Sequence, residues 1–164
     1  MPKKLLIVYY SLTGGAEAMA KAVAKGASSE PDVEVQLLHA TQANEDHVLS
    51  AAGYVFVCPE MLGSMSGLMK DFFERAYYPC LGQIQARPYS TLICAGSDGQ
   101  GAVRQIGKIA SGWRLKAICD PSIVCTHAQT PEEILGPKTL HTKDLKMCEE
   151  LGETFAGGLA MGVF

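Results

Sequence analysis

Leu5-Leu6-Ile7-Val8-Tyr9-Tyr10-Ser11-Leu12-Thr13-Gly14-Gly15-Ala16 is the stretch of this sequence that decides the fold. Its apolar first half predicts a buried strand, and its hydroxyl- and glycine-rich second half, residues 11–16, predicts a tight turn. A helix is predicted next, because five apolar residues recur at spacings of three and four: Met19, Ala20, Val23, Ala24 and Ala27. This order places backbone N–H groups at a helix N-terminus, where an anion can bind.

The turn, called the phosphate loop below, is a candidate phosphate site. Ser11 and Thr13 add hydroxyl donors, and Gly14 and Gly15 allow the main chain to approach a ligand closely. Because the loop contains no lysine or arginine, it suits one phosphomonoester better than a triphosphate. The alternative is a strand–helix connection with a Ser/Thr cap and no ligand.

Composition limits the classes of protein that this chain can represent. With 164 residues, 48% of them apolar, and a net charge of −3, it is predicted to form one globular domain over residues 1–164. The weak negative charge argues against a nucleic-acid partner, and no segment is apolar over a membrane span. The six cysteines have no metal-binding spacing and predict free thiols of a reducing compartment. We therefore expect a cytoplasmic protein with no metal site.

Strand and helix patterns alternate along the whole chain. This alternation predicts an α/β fold, a doubly wound parallel sheet of five strands with helices on both faces. Pro79 is expected to stop a helix over residues 66–78, and Asp120-Pro121 to interrupt a fifth strand, at residues 115–127, that lies at the sheet edge. The other strands are predicted at residues 5–10, 33–38, 53–58 and 89–94, and the other helices around residues 103–113 and 142–159.

In such sheets a ligand binds beyond the carboxyl ends of the strands, where the strand order reverses. The loops after strands one, three and four, residues 11–16, 59–67 and 95–102, are therefore expected to converge on one crevice. Other doubly wound folds do not fit. The first turn has neither the Gly-x-Gly-x-x-Gly of a dinucleotide site nor the Cys-x5-Arg of a small phosphatase. Cys58-Pro59 stands where a receiver domain needs an aspartate.

The first loop resembles that of flavodoxin-fold FMN proteins, which read Ser/Thr-x-Thr-Gly-x-Thr after strand one. Ser11, Thr13 and Gly14 match this pattern, and Ala16 stands where the last threonine is expected. The resemblance implies a three-layer flavodoxin-like sheet with strand order 2-1-3-4-5. It also implies FMN as the cofactor, with the FMN phosphate on the loop.

The second loop is similar to the Pro-x-Tyr-x-Gly-x-x-Ser-Gly-x-x-Lys pattern of NAD(P)H-dependent FMN and quinone reductases, including the Trp-repressor-binding-protein type. Five residues match, and Met61 replaces the tyrosine: Pro59, Gly63, Ser66, Gly67 and Lys70. In that family this loop runs along the isoalloxazine ring. The resemblance implies these cofactor-binding residues: Ser11, Leu12, Thr13, Gly14, Gly15, Ala16, Pro59, Glu60, Met61, Leu62, Gly63, Ser64, Ala95, Gly96, Ser97 and Gly101.

The resemblance implies a reductase that takes hydride from NAD(P)H through FMN N5 to a quinone or another small acceptor. The cofactor supplies the chemistry, so no side chain is named as catalytic. The resemblance also implies a homo-oligomer, either a dimer or a tetramer. Two alternatives stay open: an electron carrier of flavodoxin type, and a non-catalytic binding module with the same fold. The small net charge and the lack of a stacking aromatic argue against the carrier.

Residues outside the loops are given structural roles. Glu60 and Asp98 are expected to be solvated loop charges unless they face the flavin, and His127 and His141 to be surface or packing residues. Trp113 is predicted to anchor its helix in the core. The apolar end, residues 159–164, is expected to dock on the protein or on another subunit.

Overall fold

The computed structural model describes all 164 residues. Its elements are β1 (Lys3–Tyr9), α1 (Gly15–Ala27), β2 (Val33–His39), α2 (Glu45–Ser50), β3 (Gly53–Met61), β4 (Ser64–Met65), α3 (Gly67–Cys80), β5 (Pro88–Ala95), α4 (Gln100–Gly112), β6 (Lys116–Ala117), β7 (Ser122–Cys125), α5 (Pro131–Leu135) and α6 (Thr142–Met161).

The parallel sheet has the order β2-β1-β3-β5, and both β6 and β7 pair with β5 at its edge. The predicted order 2-1-3-4-5 is confirmed, with β5 as the fourth strand and β6 and β7 as the two halves of the fifth. Asp120-Pro121 lies between these halves, because proline cannot donate a ladder hydrogen bond. The remaining strand, β4, pairs antiparallel with the end of β3.

The sheet separates two apolar cores, as expected for strands covered on both faces. One core packs α3 and α4 on the sheet and is rich in aromatic rings, including Phe56, Phe73 and Trp113. The other packs α1 and α6 on the opposite face. Trp113 is 1% exposed and its Nε1 donates to the Tyr77 carbonyl at 2.9 Å, which confirms its predicted role as a core anchor.

The prediction that Pro79 stops a helix is wrong, because α3 continues to Cys80. A proline in the last helical turn removes one N–H donor but leaves the preceding turns intact. The Gln83 amide side chain donates to the Pro79 carbonyl at 2.7 Å, so this end of the helix is also capped. The short helices α2 and α5 were not predicted, since neither spans two helical turns.

Two glycines let α1 and α6 pack with their backbones in close contact. A side chain at Gly26 would overlap the carbonyl of Glu149, and one at Gly152 would overlap the carbonyl of Val23. An ion pair between Lys25 and Glu149, 3.0 Å long, crosses the same interface. Helix α1, which begins at the phosphate loop, is therefore fixed along its length.

The apolar chain end is docked and the cysteines are free, as the sequence predicts. The ring of Phe164 packs edge-on against Phe155 at 5.7 Å, so the apolar end docks on the protein itself. All six cysteines are free, and only Cys119 is exposed. None of the helices combines the length and the hydropathy needed to cross a bilayer.

Candidate functional site

A crevice of about 120 Å³ lies at the carboxyl edge of the sheet, where the three predicted loops meet. Seven of the residues predicted to bind a cofactor line it. They are Leu12 and Thr13 from the first loop, Pro59, Glu60 and Met61 from the second, and Ala95 and Gly96 from the third. The expected convergence is thus present in the fold.

The phosphate loop leaves backbone donors free at the start of α1. Gly14 has a left-handed conformation (φ 98°), which glycine adopts without strain, and its N–H donates to the Ser11 hydroxyl at 3.0 Å. The next three N–H groups, those of Gly15, Ala16 and Glu17, have no acceptor in the protein. Three free amides at the positive end of a helix form an anion site. We call them the anion cradle.

A buried thiol lies directly behind the cradle. A Cβ on Gly15 would lie 2.7 Å from Sγ of Cys94, so only glycine fits between this thiol and the loop. Burial raises the pKa of Cys94 to about 11, although the positive charge of Lys138 opposes the shift. The thiol is therefore neutral at pH 7 and adds no negative charge beneath a bound anion.

The second predicted loop, at residues 59–67, contains a β-hairpin. Strand β3 runs on to Met61 and pairs with β4, with Glu60 opposite Met65. Leu62 and Gly63 form the two-residue turn, and both have positive φ (51° and 75°) as a type I′ turn requires. The side chain of Leu62 is fully exposed at the tip.

Glu60 caps helix α4 instead of standing as a solvated loop charge. Its two carboxylate oxygens accept hydrogen bonds from the N–H groups of Gly99 (3.0 Å) and Ala102 (3.2 Å). Gly101 faces the hairpin so closely that a Cβ there would overlap the carbonyl of Gly63. The expectation of a free charge at Glu60 is therefore wrong, because a helix N-terminus binds the carboxylate. Asp98 is exposed, as expected, and accepts from Gln100 N–H at 3.3 Å.

The remaining predicted binding residues lie beside the crevice rather than on its wall. Leu62, Gly63 and Ser64 form the hairpin tip, Ser97 is exposed, and Gly101 is buried beneath the hairpin. Ser11, Gly14, Gly15 and Ala16 shape the backbone of the phosphate loop. Met61 lies on the crevice wall. No aromatic side chain lines the crevice.

A fourth segment, which the sequence reasoning missed, closes the crevice. Residues 126–141, called the cover segment, join β7 to α6. Its first two amides donate to β5 and the loop after it, Thr126 to Ala95 and His127 to Gly96, each at 2.9 Å. Five of its residues line the crevice: Thr126, Ala128, Ile134, Leu135 and Lys138. His127 and His141, also in this segment, are exposed, so of the two roles expected for them they take the surface one.

A capping box holds α5 within the cover segment. The Thr130 hydroxyl accepts from Glu133 N–H at 3.2 Å, and the Glu133 carboxylate accepts from the N–H groups of Gln129 and Thr130. These bonds lower the pKa of Glu133. Thr130-Pro131-Glu132-Glu133 is a helix-start signature, with proline at the first helical position. This signature could have revealed α5 in the sequence.

The residues present fit the two ends of FMN differently. The cradle suits a phosphate, since it offers three free amides and the hydroxyls of Ser11 and Thr13. The crevice of about 120 Å³ is smaller than the ~300–1,000 Å³ typical of ligand pockets. Ile134 and Leu135, which close it, are 50% and 70% exposed, so they can move outward without breaking the core. An outward movement of α5 would enlarge the crevice, which a flavin ring requires.

The chain resembles known flavodoxins in sequence. The family model described as Flavodoxin matches residues 7–86. A flavodoxin of Aquifex aeolicus (strain VF5) is 35% identical over 98 residues, which cover 60% of this chain and 51% of that protein. The family binds FMN, the cofactor that the first loop implied.

A second relative is named as an enzyme. The quinone-oxidoreductase QR2 of Triphysaria versicolor is 32% identical over 122 residues, covering 62% of this chain and 60% of that protein. The chain thus spans about half to three fifths of the length of these two curated relatives.

The fold has close counterparts among solved structures. A flavodoxin from the domain Archaea superposes with a TM-score of 0.78 at 20% identity, covering 95% of this chain and 98% of that one. Such similarity at low identity establishes the fold, which confirms the predicted flavodoxin-like architecture.

Proposed function

Because this chain contains a flavodoxin-family domain, we propose that it binds FMN and uses NAD(P)H to reduce a quinone or another small acceptor. The observation that carries this proposal is the anion cradle, whose three amides find no acceptor in the protein and directly follow Leu12 and Thr13 of the crevice wall. Unpaired donors of this kind are costly to bury and are usually bonded to a ligand or water.

The phosphate would be bound by the main chain. The amides of Gly15, Ala16 and Glu17 would donate to its oxygens, and the hydroxyls of Ser11 and Thr13 can donate as well. Ser11 already accepts from Gly14, which leaves its own hydrogen free to point at an anion. These donors are in place before the ligand arrives, since α1 begins at Gly15.

The ring would lie among small and flexible side chains. Ala95 and Gly96 form one wall and leave space above the strand ends, whereas Met61 can cover an aromatic face through its thioether. When bound, FMN supplies a hydride acceptor at N5, which the protein only orients. Because no aromatic side chain lines the crevice, none would cover the face of the ring on which a second planar molecule stacks.

The reductase proposal draws its substrate class from the named relative and from the hairpin sequence. The quinone-oxidoreductase QR2 matches over 122 residues, and the residues 59–70 resemble the ring-binding loop of quinone reductases. NAD(P)H and a quinone are accordingly the proposed small-molecule partners. We also propose one domain over residues 1–164, a dimer or tetramer, and a cytoplasmic location.

An electron carrier of flavodoxin type is the second candidate. The side chains of Leu12 and Leu62 are 51% and 104% exposed beside the crevice, where a protein partner could cover them. The similarity to a flavodoxin over 98 residues also favours it. A carrier would receive its electrons from another protein and would not react with NAD(P)H directly.

Titration of the purified protein with FMN, followed by anaerobic addition of NADH or NADPH, tests the proposal. We expect a yellow complex that NAD(P)H bleaches and a quinone re-oxidises. Thr13→Val, which removes a cradle hydroxyl and keeps the shape, should weaken FMN binding, while Thr41→Val, on a loop away from the crevice, should not. A yellow complex that ignores NAD(P)H supports the carrier. Protein that binds no FMN even at millimolar excess contradicts the proposal and favours a non-catalytic module.

A further inference from the structure

The anion cradle has no cation of its own. Lys21 is the nearest lysine along α1, and its ammonium is paired with the Glu17 carboxylate at 3.1 Å. Glu17 itself belongs to the first turn of α1, where its charge repels a phosphate. A phosphate on the cradle would therefore be held by amides against an acidic neighbour unless a cation comes from elsewhere.

Lys138 of the cover segment is fixed beside the cradle by its backbone. Its N–H donates to the Thr13 carbonyl at 2.9 Å, across a separation of 125 positions in the chain. Its Cβ and Cγ lie 3.4 and 3.7 Å from the position that a Cβ on Gly15 would take. The stem of the lysine thus passes along the first residue of the cradle.

The ammonium of Lys138 is held only by main-chain carbonyls. It donates to the carbonyl oxygens of Glu133 (2.6 Å), Ile134 (2.9 Å) and Gly136 (2.7 Å), and it has no carboxylate partner. These carbonyls belong to residues at or near the surface, so water can replace the ammonium there. A phosphate oxygen carries a full charge and is the stronger acceptor.

We propose that Lys138 moves its ammonium from the end of α5 to the phosphate of the bound flavin and makes the site selective for FMN over riboflavin. The flexible lysine stem permits this movement while the backbone bond to Thr13 stays in place. The same movement releases the end of α5, whose Ile134 and Leu135 close the crevice. This inference rests on the proposed binding of FMN.

Lys138→Met is the test, because methionine keeps an unbranched stem and removes the charge. Dissociation constants for FMN and for riboflavin are measured by quenching of flavin fluorescence. We expect FMN to bind roughly ten- to hundredfold more weakly, since one charge-assisted hydrogen bond is lost, and riboflavin to bind within twofold of the original protein. Lys138→Arg should keep the preference for FMN. Lys146→Met, on the exposed face of α6, should change neither constant.

The riboflavin measurement separates a phosphate contact from a structural role. If Lys138→Met weakens both flavins equally, Lys138 only shapes the crevice and the inference is overturned. It is also overturned if the FMN constant of the variant stays within twofold. If the unaltered protein binds no FMN, the proposed function itself fails, an outcome distinct from the other two.

Discussion

Helices α1 and α4 begin in nearly the same way but end up with different partners. Each spans 13 residues, starts at the carboxyl edge of the sheet and follows a left-handed glycine, Gly14 (φ 98°, ψ −14°) or Gly99 (φ 92°, ψ −14°). At α4 the carboxylate of Glu60 accepts two of the N-terminal N–H groups. At α1 the N–H of Gly14 donates to the Ser11 hydroxyl, and the three N–H groups of the anion cradle, which follow it, bind nothing in the protein.

The difference shows that backbone geometry creates the anion site and that side chains decide whether it stays available. α4 demonstrates that this arrangement of amides binds a carboxylate, since Glu60 is already there. α1 keeps the three amides of the anion cradle open next to a crevice. Substitutions at the two helix starts test this contrast, and we expect the largest effect at α4.

Gly101→Ala should disrupt the start of α4, which Glu60 caps. Its Cβ would overlap the Gly63 carbonyl and lie 3.2 Å from Oε2 of Glu60, so the hairpin must leave α4. We expect a loss of about 3 kcal/mol in the free energy of unfolding, measured with urea. Gly107→Ala on the same helix, where nothing lies within 4 Å, is the control and should be neutral or slightly stabilising. Equal stability of the two variants would contradict the close contact.

Glu60→Ala should leave the start of α4 without its capping carboxylate, so that its amides resemble the free amides of the anion cradle. Two N–H groups would lose a charged acceptor, which should cost about 2 kcal/mol in the free energy of unfolding. Glu60→Gln keeps one acceptor oxygen and should lose about half as much. Urea denaturation of both variants measures the difference. An alanine variant as stable as the original protein would show that the carboxylate does not cap α4.

Gly14→Ala should destabilise the start of α1 only through its backbone conformation. The nearest atom to the new Cβ, the Lys138 carbonyl oxygen, is 4.0 Å away, so only the left-handed conformation opposes it, at about 1–2 kcal/mol. Gly99→Ala is the paired variant. It should cost more, because its Cβ would also meet Cγ2 of Ile123 at 2.7 Å. FMN titration should show weaker binding for Gly14→Ala and unchanged binding for Gly99→Ala. Weaker binding for Gly99→Ala alone would indicate that the phosphate binds at α4 instead of α1.

Alkaline pH should weaken the protein through the thiol behind the cradle. The pKa of Cys94 rises from 9.0 to about 11 in the folded protein, so the unfolded chain releases this proton first. Its contribution to stability is full below pH 9 and is lost as the pH rises toward 11. Between pH 8 and 10 the original protein should lose about 1 kcal/mol more than Cys94→Ala. Urea denaturation at each pH measures the free energy of unfolding of both proteins. An equal loss in the two proteins would contradict the raised pKa of Cys94.

Ala16→Ser should strengthen FMN binding, and this is the smallest of the expected effects. The added hydroxyl lies at the position where flavodoxins carry a threonine, and one further hydrogen bond to phosphate is expected to strengthen binding by about 1 kcal/mol. Ala102→Ser, at the start of α4, should leave FMN affinity unchanged, because Glu60 already binds its amide. Fluorescence titration measures both constants. Weaker binding by Ala16→Ser would show that this buried position cannot accept the hydroxyl.

The parts of the fold and site that the sequence predicted depend on local patterns. The apolar strand before Ser11 and the glycines after Thr13 lie within one short segment, and their order alone predicts the strand, the turn and the open helix start. Convergence of the three loops follows from the alternation of strands and helices, because parallel strands place their carboxyl ends at one edge. Both predictions required no knowledge of distant contacts.

The parts that the sequence did not predict depend on contacts between distant residues. Glu60 meets α4 across 39 positions, and nothing near Glu60 in the sequence distinguishes a capping carboxylate from a free one. Lys138 contacts Thr13 across 125 positions of the chain, so the sequence of the phosphate loop gives no sign of the lysine that the cover segment places beside it. The prediction at Pro79 is wrong for a different reason, since a proline in the final turn of a helix does not end it there.

The tight packing of α1 on α6 has a consequence for the rate and cost of ligand binding. Because Gly26 and Gly152 leave no room for a shift between the two helices, the direction of the first amides of α1 is set when the chain folds. A phosphate arriving at Gly15 meets donors that are already ordered, so little conformational entropy is lost on that side of the ligand. Any slow step in association then belongs to the opposite wall of the crevice.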